Sequence, residues 1–279
     1  MCKSKSLAPL DLLRSLGQYK KSTVDHEQKR GIRMKRERLD KVLANMGIGT
    51  RKEVKQLVKQ KLVVVDGTVA TDPGMHVVPE EQEISVDGEP INYKRWLYIM
   101  LNKPPGVVSA TEDNLHETVV DLLPYEWAIK VFPVGRLDID TEGLLLLTND
   151  GQLSHNLLSP KKKVDKEYFA RIQGRVTETH VQEFARGVEL EDFTTLPAKL
   201  EVLSSGEISE IRVTIMEGKF HQVKRMFAAF DLEVIYLQRI RMGPIRLDES
   251  LKPGEYRELT DEEMEFLKAY TQKEGPAQS

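Results

Sequence analysis

Four consecutive leucines, Leu144 to Leu147, sit between Gly143 and the turn sequence Thr148-Asn149-Asp150-Gly151. An apolar run this short and this sharply bounded predicts a strand buried on both faces. Such a strand needs a packed layer above and below it, which calls for a sizeable core. A chain of 279 residues with 40% hydrophobic side chains is long enough to supply one and suggests about two domains. The run is far shorter than the roughly 18 apolar residues of a membrane span, so no membrane role is expected. The single cysteine, Cys2, excludes an internal disulfide, no Cys/His cluster has zinc spacing, and a cytoplasmic setting is expected.

The loop feeding this strand is Gly135-Arg136-Leu137-Asp138-Ile139-Asp140-Thr141-Glu142. If Arg136 to Asp138 is extended, alternation puts Arg136 and Asp138 on one side and buries Leu137 on the other. A charge pair then lines one surface, held at a sheet end by the strand that follows. Spacing alone does not rank Asp138 above Asp140 or Asp150. Three carboxylates in this stretch also admit a second chemistry, a metal-dependent nuclease with Asp138, Asp140 and Asp150 as ligands. Elsewhere the C-terminal part mixes β-rich patches (98–101, 164–172, 211–215) with helical ones (181–186, 222–230), which reads as α+β. It has neither G-x-G-x-x-G nor a P-loop motif.

The N-terminal part has a different pattern. Leu39, Val42, Leu43 and Met46 recur at helical spacing and stop at Gly47, while Thr50 and Glu53 form a capping box for a second helix. Val54, Leu57 and Val58 are the buried stripe of that second helix; Arg51, Lys52, Lys55 and Lys59 stay outside. Short strands over 62–65, 68–69 and 84–86 follow, with Asp66-Gly67 and Asp87-Gly88 as turns. The formal net charge is only −3, yet 34–61 holds nine Lys/Arg against three acids, a local excess of six. A local basic face on a chain of mildly acidic total charge suits a nucleic-acid binder. Residues 1–33 show no secretory pattern and are expected to be a disordered or mis-annotated extension, with Met34 as a candidate start in place of Met1.

The stretch RLDKVLANMGIGTRKEVKQLVKQKLVVVDGTVA resembles an S4 RNA-binding domain, and GRLDIDTEGLLLLTNDG resembles the signature of the RNA pseudouridine synthases. Leu101-Asn102-Lys103-Pro104-Pro105-Gly106, Lys166-Glu167-Tyr168 and the segment 217–227 (EGKFHQVKRMF) extend the likeness, which runs from Arg38 to Glu263. It implies a small S4 (αL-type) domain over 34–93. A synthase domain on a mixed, mostly antiparallel sheet would follow over 96–270, with a tail over 271–279.

By resemblance Asp138 is the catalytic nucleophile, Lys224 pairs with it, Tyr168 stacks on the base and Arg136 assists flipping. A nearby cation favours an ionised carboxylate. RNA contacts are expected at Arg38, Lys41, Arg51, Lys52, Lys55, Lys59, Lys103, His221, Gln222 and Arg225. On the helix over 222–230, Val223, Met226, Phe227 and Phe230 make the core face, leaving His221 and Lys224 together on another side. The reaction needs no metal and no cofactor.

The H-Q-V-K run implies the small-subunit (16S) ribosomal RNA branch of the family rather than the 23S one, acting as a monomer on rRNA or an assembling small subunit. A non-catalytic S4 ribosome-assembly protein is the reading from another class.

Overall fold

Leu144–Leu147 are 0–3% exposed, and they divide by parity between two cores: Leu145 and Leu147 join one cluster, Leu144 and Leu146 the other. In the computed structural model, which describes residues 36–91 and 93–272, they lie within β9 (Glu142–Thr148). The expectations for 1–33, for the start codon and for the tail beyond Gln272 fall outside the described residues. The chain splits into two units between Arg95 and Trp96.

The N-terminal unit begins with β1 (Glu37–Arg38), α1 (Leu39–Asn45) and α2 (Arg51–Lys59). The capping box is formed: Thr50 N–H donates to Glu53 Oε2 at 2.7 Å, and Glu53 N–H to Thr50 Oγ1 at 3.3 Å. This pair satisfies two of the amide groups that a helix start leaves free. Strands β2 (Val63–Val65), β3 (Thr68–Val69), β5 (Ile84–Val86) and β6 (Glu89–Pro90) form a sheet in the order β3-β2-β5-β6, and β4 (His76–Val77) pairs with β1. Asp66 and Gly67 have φ of 48° and 74°, and Asp87 and Gly88 have 53° and 82°, the left-handed pair that a two-residue hairpin turn requires. Leu39, Val42 and Leu43 of α1, and Val54 and Val58 of α2, pack on Val63, Val65, Ile84 and Val86.

The C-terminal unit is built on one mixed sheet. Its strands are β7 (Tyr98–Lys103), β8 (Phe132–Pro133), β9, β10 (Lys166–Gln173), β11 (Lys199–Ser204), β12 (Ile208–Ile215), β13 (Glu233–Met242), β14 (Ile245–Arg246) and β15 (Tyr256–Glu258). The main order is β11-β12-β10-β13-β9-β7-β15. The named strands pair antiparallel except β9 with β13, which run parallel. Of the intervening helices, α3 (Tyr125–Ala128) is a single turn. The helices α5 (Glu178–Arg186) and α6 (Gln222–Ala228) cover one face through Phe184, Val223, Met226 and Phe227. On the other face α4 (Gly151–Leu158) and α7 (Asp261–Gln272) pack Leu153, Leu157, Met264 and Leu267 against Leu144 and Leu146. At roughly 25 cal/mol per Å² of apolar surface, this double burial anchors β9 firmly from both faces. No described helix is long and apolar enough to cross a membrane.

Candidate active site

The loop ahead of β9 is clamped from two directions. Ser109 Oγ donates to the Leu137 carbonyl and accepts from the Leu137 N–H, each at 3.0 Å. Lys103, whose side chain is fully enclosed, donates from Nζ to the carbonyls of Pro104, Ile139 and Thr141 at 3.0, 3.2 and 2.9 Å. Gly143 follows with φ of +98°, and a Cβ there would lie 2.3 Å from the Arg239 carbonyl, so the parallel pairing of β9 with β13 requires glycine at this point. With Leu137 pinned and 6% exposed, Arg136 and Asp138 both face outward, as alternation predicts.

Asp138 lines a small hollow of about 60 Å³ together with Arg136, Thr141, Tyr168, His221 and Lys224. Tyr168 reaches it from β10 and is 8% exposed. The opposite wall is the start of α6, where His221 takes the left-handed conformation (φ 50°) as the residue before the helix. Its Nε2 lies 3.6 Å from Asp138 Oδ1, and Lys224 Nζ lies 3.7 Å from Asp138 Oδ2. Both distances exceed hydrogen-bond length, and the Asp138 side chain accepts no hydrogen bond from the described residues.

The three carboxylates that spacing left equivalent are separated by their partners. Asp140 is bonded through both oxygens to Lys224 Nζ, at 2.6 and 2.7 Å. Desolvation raises its pKa, but the Lys224 hydrogen bond and charge outweigh this and hold it below the ordinary carboxylate value. Asp150 is a structural cap: Oδ1 accepts from the N–H groups of Gln152 and Leu153, and Oδ2 accepts from Tyr98 O–H at 2.9 Å. Asp138 alone keeps free oxygens facing a hollow. The same separation argues against Asp138, Asp140 and Asp150 as a joint ligand set, and no group of three or more His, Cys, Asp or Glu that could hold a metal ion occurs among the described residues.

The structure adds partners to several of the expected residues. Lys224 lies at ion-pair distance from Asp138, 3.7 Å, and makes its hydrogen bonds with Asp140. Lys103 is 0% exposed and Gln222 only 3%, so neither presents its side chain on the outer surface, although Gln222 borders the hollow. Gln222 instead donates to Glu217 Oε1 and accepts from the Lys219 N–H, fixing the turn before α6. Arg225 pairs with Asp192 and lies 5.4 Å over the Phe193 ring. In the N-terminal unit, Arg38 is held by Asp40 at 2.8 Å and Lys41 by Glu37 at 2.9 Å. Arg51, Lys52, Lys55 and Lys59 are exposed.

Sequence reasoning missed Ser109 and Thr141. No signal marks Ser109, but period-2 alternation puts Lys103 on the inward side with Ile99 and Leu101, a cue that it is buried. Thr141 borders the hollow, and its buried hydroxyl has no hydrogen-bond partner among the described residues.

Comparison with known proteins follows the same division. An S4 domain model matches residues 37–84, and an RNA pseudouridylate synthase model matches residues 97–229. A Bacillus subtilis (strain 168) protein named uncharacterized RNA pseudouridine synthase YtzG is 52% identical over 233 residues, covering 82% of this chain and 98% of that protein. Ribosomal small subunit pseudouridine synthase A of Vibrio cholerae is 45% identical over 229 residues (81% and 97% covered), and that of Escherichia coli K12 is 42% identical over 230 residues (81% and 98%). A crystal structure of a pseudouridylate synthase, 40% identical, aligns over 82% of this chain and 99% of its own with a TM-score of 0.59.

Proposed function

The chain belongs to the family of RNA pseudouridine synthases, with an S4 domain ahead of the catalytic one, and on that premise we propose that it isomerises one uridine of 16S ribosomal RNA with Asp138 as the catalytic carboxylate. The observation that carries the assignment is the free carboxylate of Asp138, facing a hollow shared with Tyr168, His221 and Lys224. Preference for the small subunit draws on the H-Q-V-K segment and on relatives named ribosomal small subunit pseudouridine synthase A.

Isomerisation breaks the bond from N1 to C1′ and forms one from C5 to C1′; C5 gives up its proton and N1 gains one. No electrons or groups are exchanged, so neither a redox partner nor ATP is chemically required. The base cannot turn while stacked in a helix and is flipped out. A cavity of about 60 Å³ fits no nucleotide, so the uridine enters from the open side, where Arg136 is exposed and fills the gap it leaves. Tyr168 packs on the uracil and Asp138 meets the ribose or base. Lys224 and His221 hold positive charge or a donor near the carboxylate, and the tether to Asp140 keeps Lys224 in position. The S4 domain grips backbone without reading bases.

The test is to map carbodiimide-reactive pseudouridines in ribosomal RNA from cells with the gene, without it, and with Asp138→Asn. One 16S pseudouridine should vanish in the second and third strains; a loss from 23S RNA, or none, would refute the substrate assignment.

A further inference from the structure

We propose that the side of the catalytic sheet facing away from Asp138 carries a second RNA groove, which takes the phosphodiester backbone of the substrate beyond the target nucleotide. This rests on the function proposed above. The groove has a volume of about 980 Å³, many times that of the hollow at Asp138. Its floor is one cross-strand row: Lys199 pairs with Thr214, Thr214 with Glu167, Glu167 with Arg241, and Arg241 with Arg246. Side chains in register across neighbouring strands share a face, and successive residues of a strand face opposite ways. Glu167 therefore lies behind the sheet because Tyr168, the next residue, lies in front of it. Four strand spacings of roughly 4.8 Å make the row about 19 Å long, enough for several nucleotides.

The charge on this surface suits a polyanion. Six Lys/Arg and three carboxylates line the groove, a surplus of three positive charges in a chain of net −3. Arg241 is neutralised within the floor by Asp165 at 2.7 Å and Glu167 at 2.8 Å, so it organises the row and offers little free charge. The charge left over belongs to the rim. Lys163 and Lys199 have no carboxylate partner among the described residues, and Arg246 is 66% exposed and 3.7 Å from Glu167.

The loop between β12 and α6 connects this groove to the catalytic hollow. Met216 lines the groove, while Gly218 and Lys219, two and three residues on, line the hollow. A strand leaving Asp138 over this loop arrives on the cationic row. The one aromatic in the groove wall, Tyr270, donates its O–H to Asp165 at 3.1 Å and packs its ring against the apolar cluster beneath; a lining with no row of exposed aromatics favours contact with phosphates over contact with bases.

The experiment compares the full chain with a Lys163→Gln/Lys199→Gln/Arg246→Gln variant on two RNAs: a 16S rRNA transcript, and the shortest fragment of it that the wild type still modifies. On the transcript, the slope of log affinity against log salt should fall in magnitude by about 2, at roughly 0.7 for each phosphate that is no longer neutralised. KM should rise about tenfold with kcat unchanged. On the short fragment kcat/KM should stay within about twofold. An unchanged slope on the transcript overturns the groove as an RNA site and leaves an acidic protein as the partner of that face. An equal loss on both RNAs also overturns it. If the triple variant folds poorly, Arg246→Gln alone decides, with an expected slope change of about 0.7 and none if the inference is wrong. A wild type that modifies neither RNA refutes the proposed substrate, while the slope still judges the groove.

Discussion

Helix α2 of the first unit and the surroundings of the catalytic hollow in the second display lysine and arginine in opposite ways. On α2, Arg51, Lys52, Lys55 and Lys59 point into solvent, set there by the helical period that buries Val54 and Val58. In the catalytic unit, Lys103 is enclosed by three carbonyls, Lys224 is bonded to Asp140 and Arg225 to Asp192. Exposed cations attract RNA from any direction and are screened by salt. Held cations fix geometry and contribute through the position of whatever they hold. If this contrast is right, substitutions of the held cations change the chemical step and those of the solvent-facing cations change only binding.

The sharpest way to break the contrast is within the loop itself. Asp138→Asn should lower turnover by at least about a thousandfold, with the thermal midpoint unchanged, because its carboxylate has no hydrogen bond to lose. Asp140→Asn, which loosens Lys224, should cost about tenfold by comparison. Single-turnover assays on the same transcript check both, and equal losses would show that the two carboxylates share the reaction.

Lys103→Met comes next. It strands the carbonyls of Pro104, Ile139 and Thr141 without their donor, an expected loss of about 3 kcal/mol of stability and, through the displaced loop, about a hundredfold in kcat. A pH series sharpens this. Burial pushes the Lys103 ammonium down to about 8, although Asp140, Asp138 and Glu142 act to raise it. An unfolded lysine keeps its proton to about 10.4. Between those values the unfolded chain binds more protons than the folded one, so stability rises with pH across the window: the cost of burying the charge is complete below about 8 and gone above about 10.4. The wild type should show this rise in its denaturant midpoint and Lys103→Met should lack it.

Thr141→Val tests a smaller effect of opposite sign in stability and activity. The unpartnered hydroxyl of Thr141 is a cost to the folded chain, so the isosteric valine should leave the protein as stable or up to about 1 kcal/mol more so. If the hydroxyl waits for substrate, activity should fall about tenfold, the value of one hydrogen bond. Unchanged activity would assign the hydroxyl no part in the reaction.

What was legible in the sequence follows the same contrast. Local patterns carried α1, α2, the capping box, the two Asp-Gly turns and the doubly buried β9, because each depends on residues within a few positions of one another. They also carried the outward side of Arg136 and Asp138. Contacts set by distant segments were not legible. Lys224 and Asp140 are 84 residues apart, and nothing near either shows that the hydrogen bonds go to Asp140 while Asp138 is left free. Lys103 and Gln222 are polar residues in motifs that resemble an RNA-binding surface; alternation with Ile99 and Leu101 is the one cue that Lys103 faces inward, and for Gln222 only packing shows it.

The mildest expected effect on chemistry comes from the first unit. Replacing Arg51, Lys52, Lys55 and Lys59 together by glutamine removes four exposed charges and no hydrogen bond, since none of the four has an ion-pair partner among the described residues. The fold should persist, because the stripe of Val54 and Val58 and the Thr50–Glu53 box are untouched. Affinity for RNA should fall about equally for target and unrelated transcripts, and the salt slope should drop by about 3 in magnitude if all four meet phosphates of single-stranded or looped RNA, at roughly 0.7 each. At saturating RNA, kcat should equal that of the wild type. A lowered kcat under saturation would mean that α2 helps place the uridine as well as holding the RNA, and the division of labour between solvent-facing and anchored cations would no longer hold.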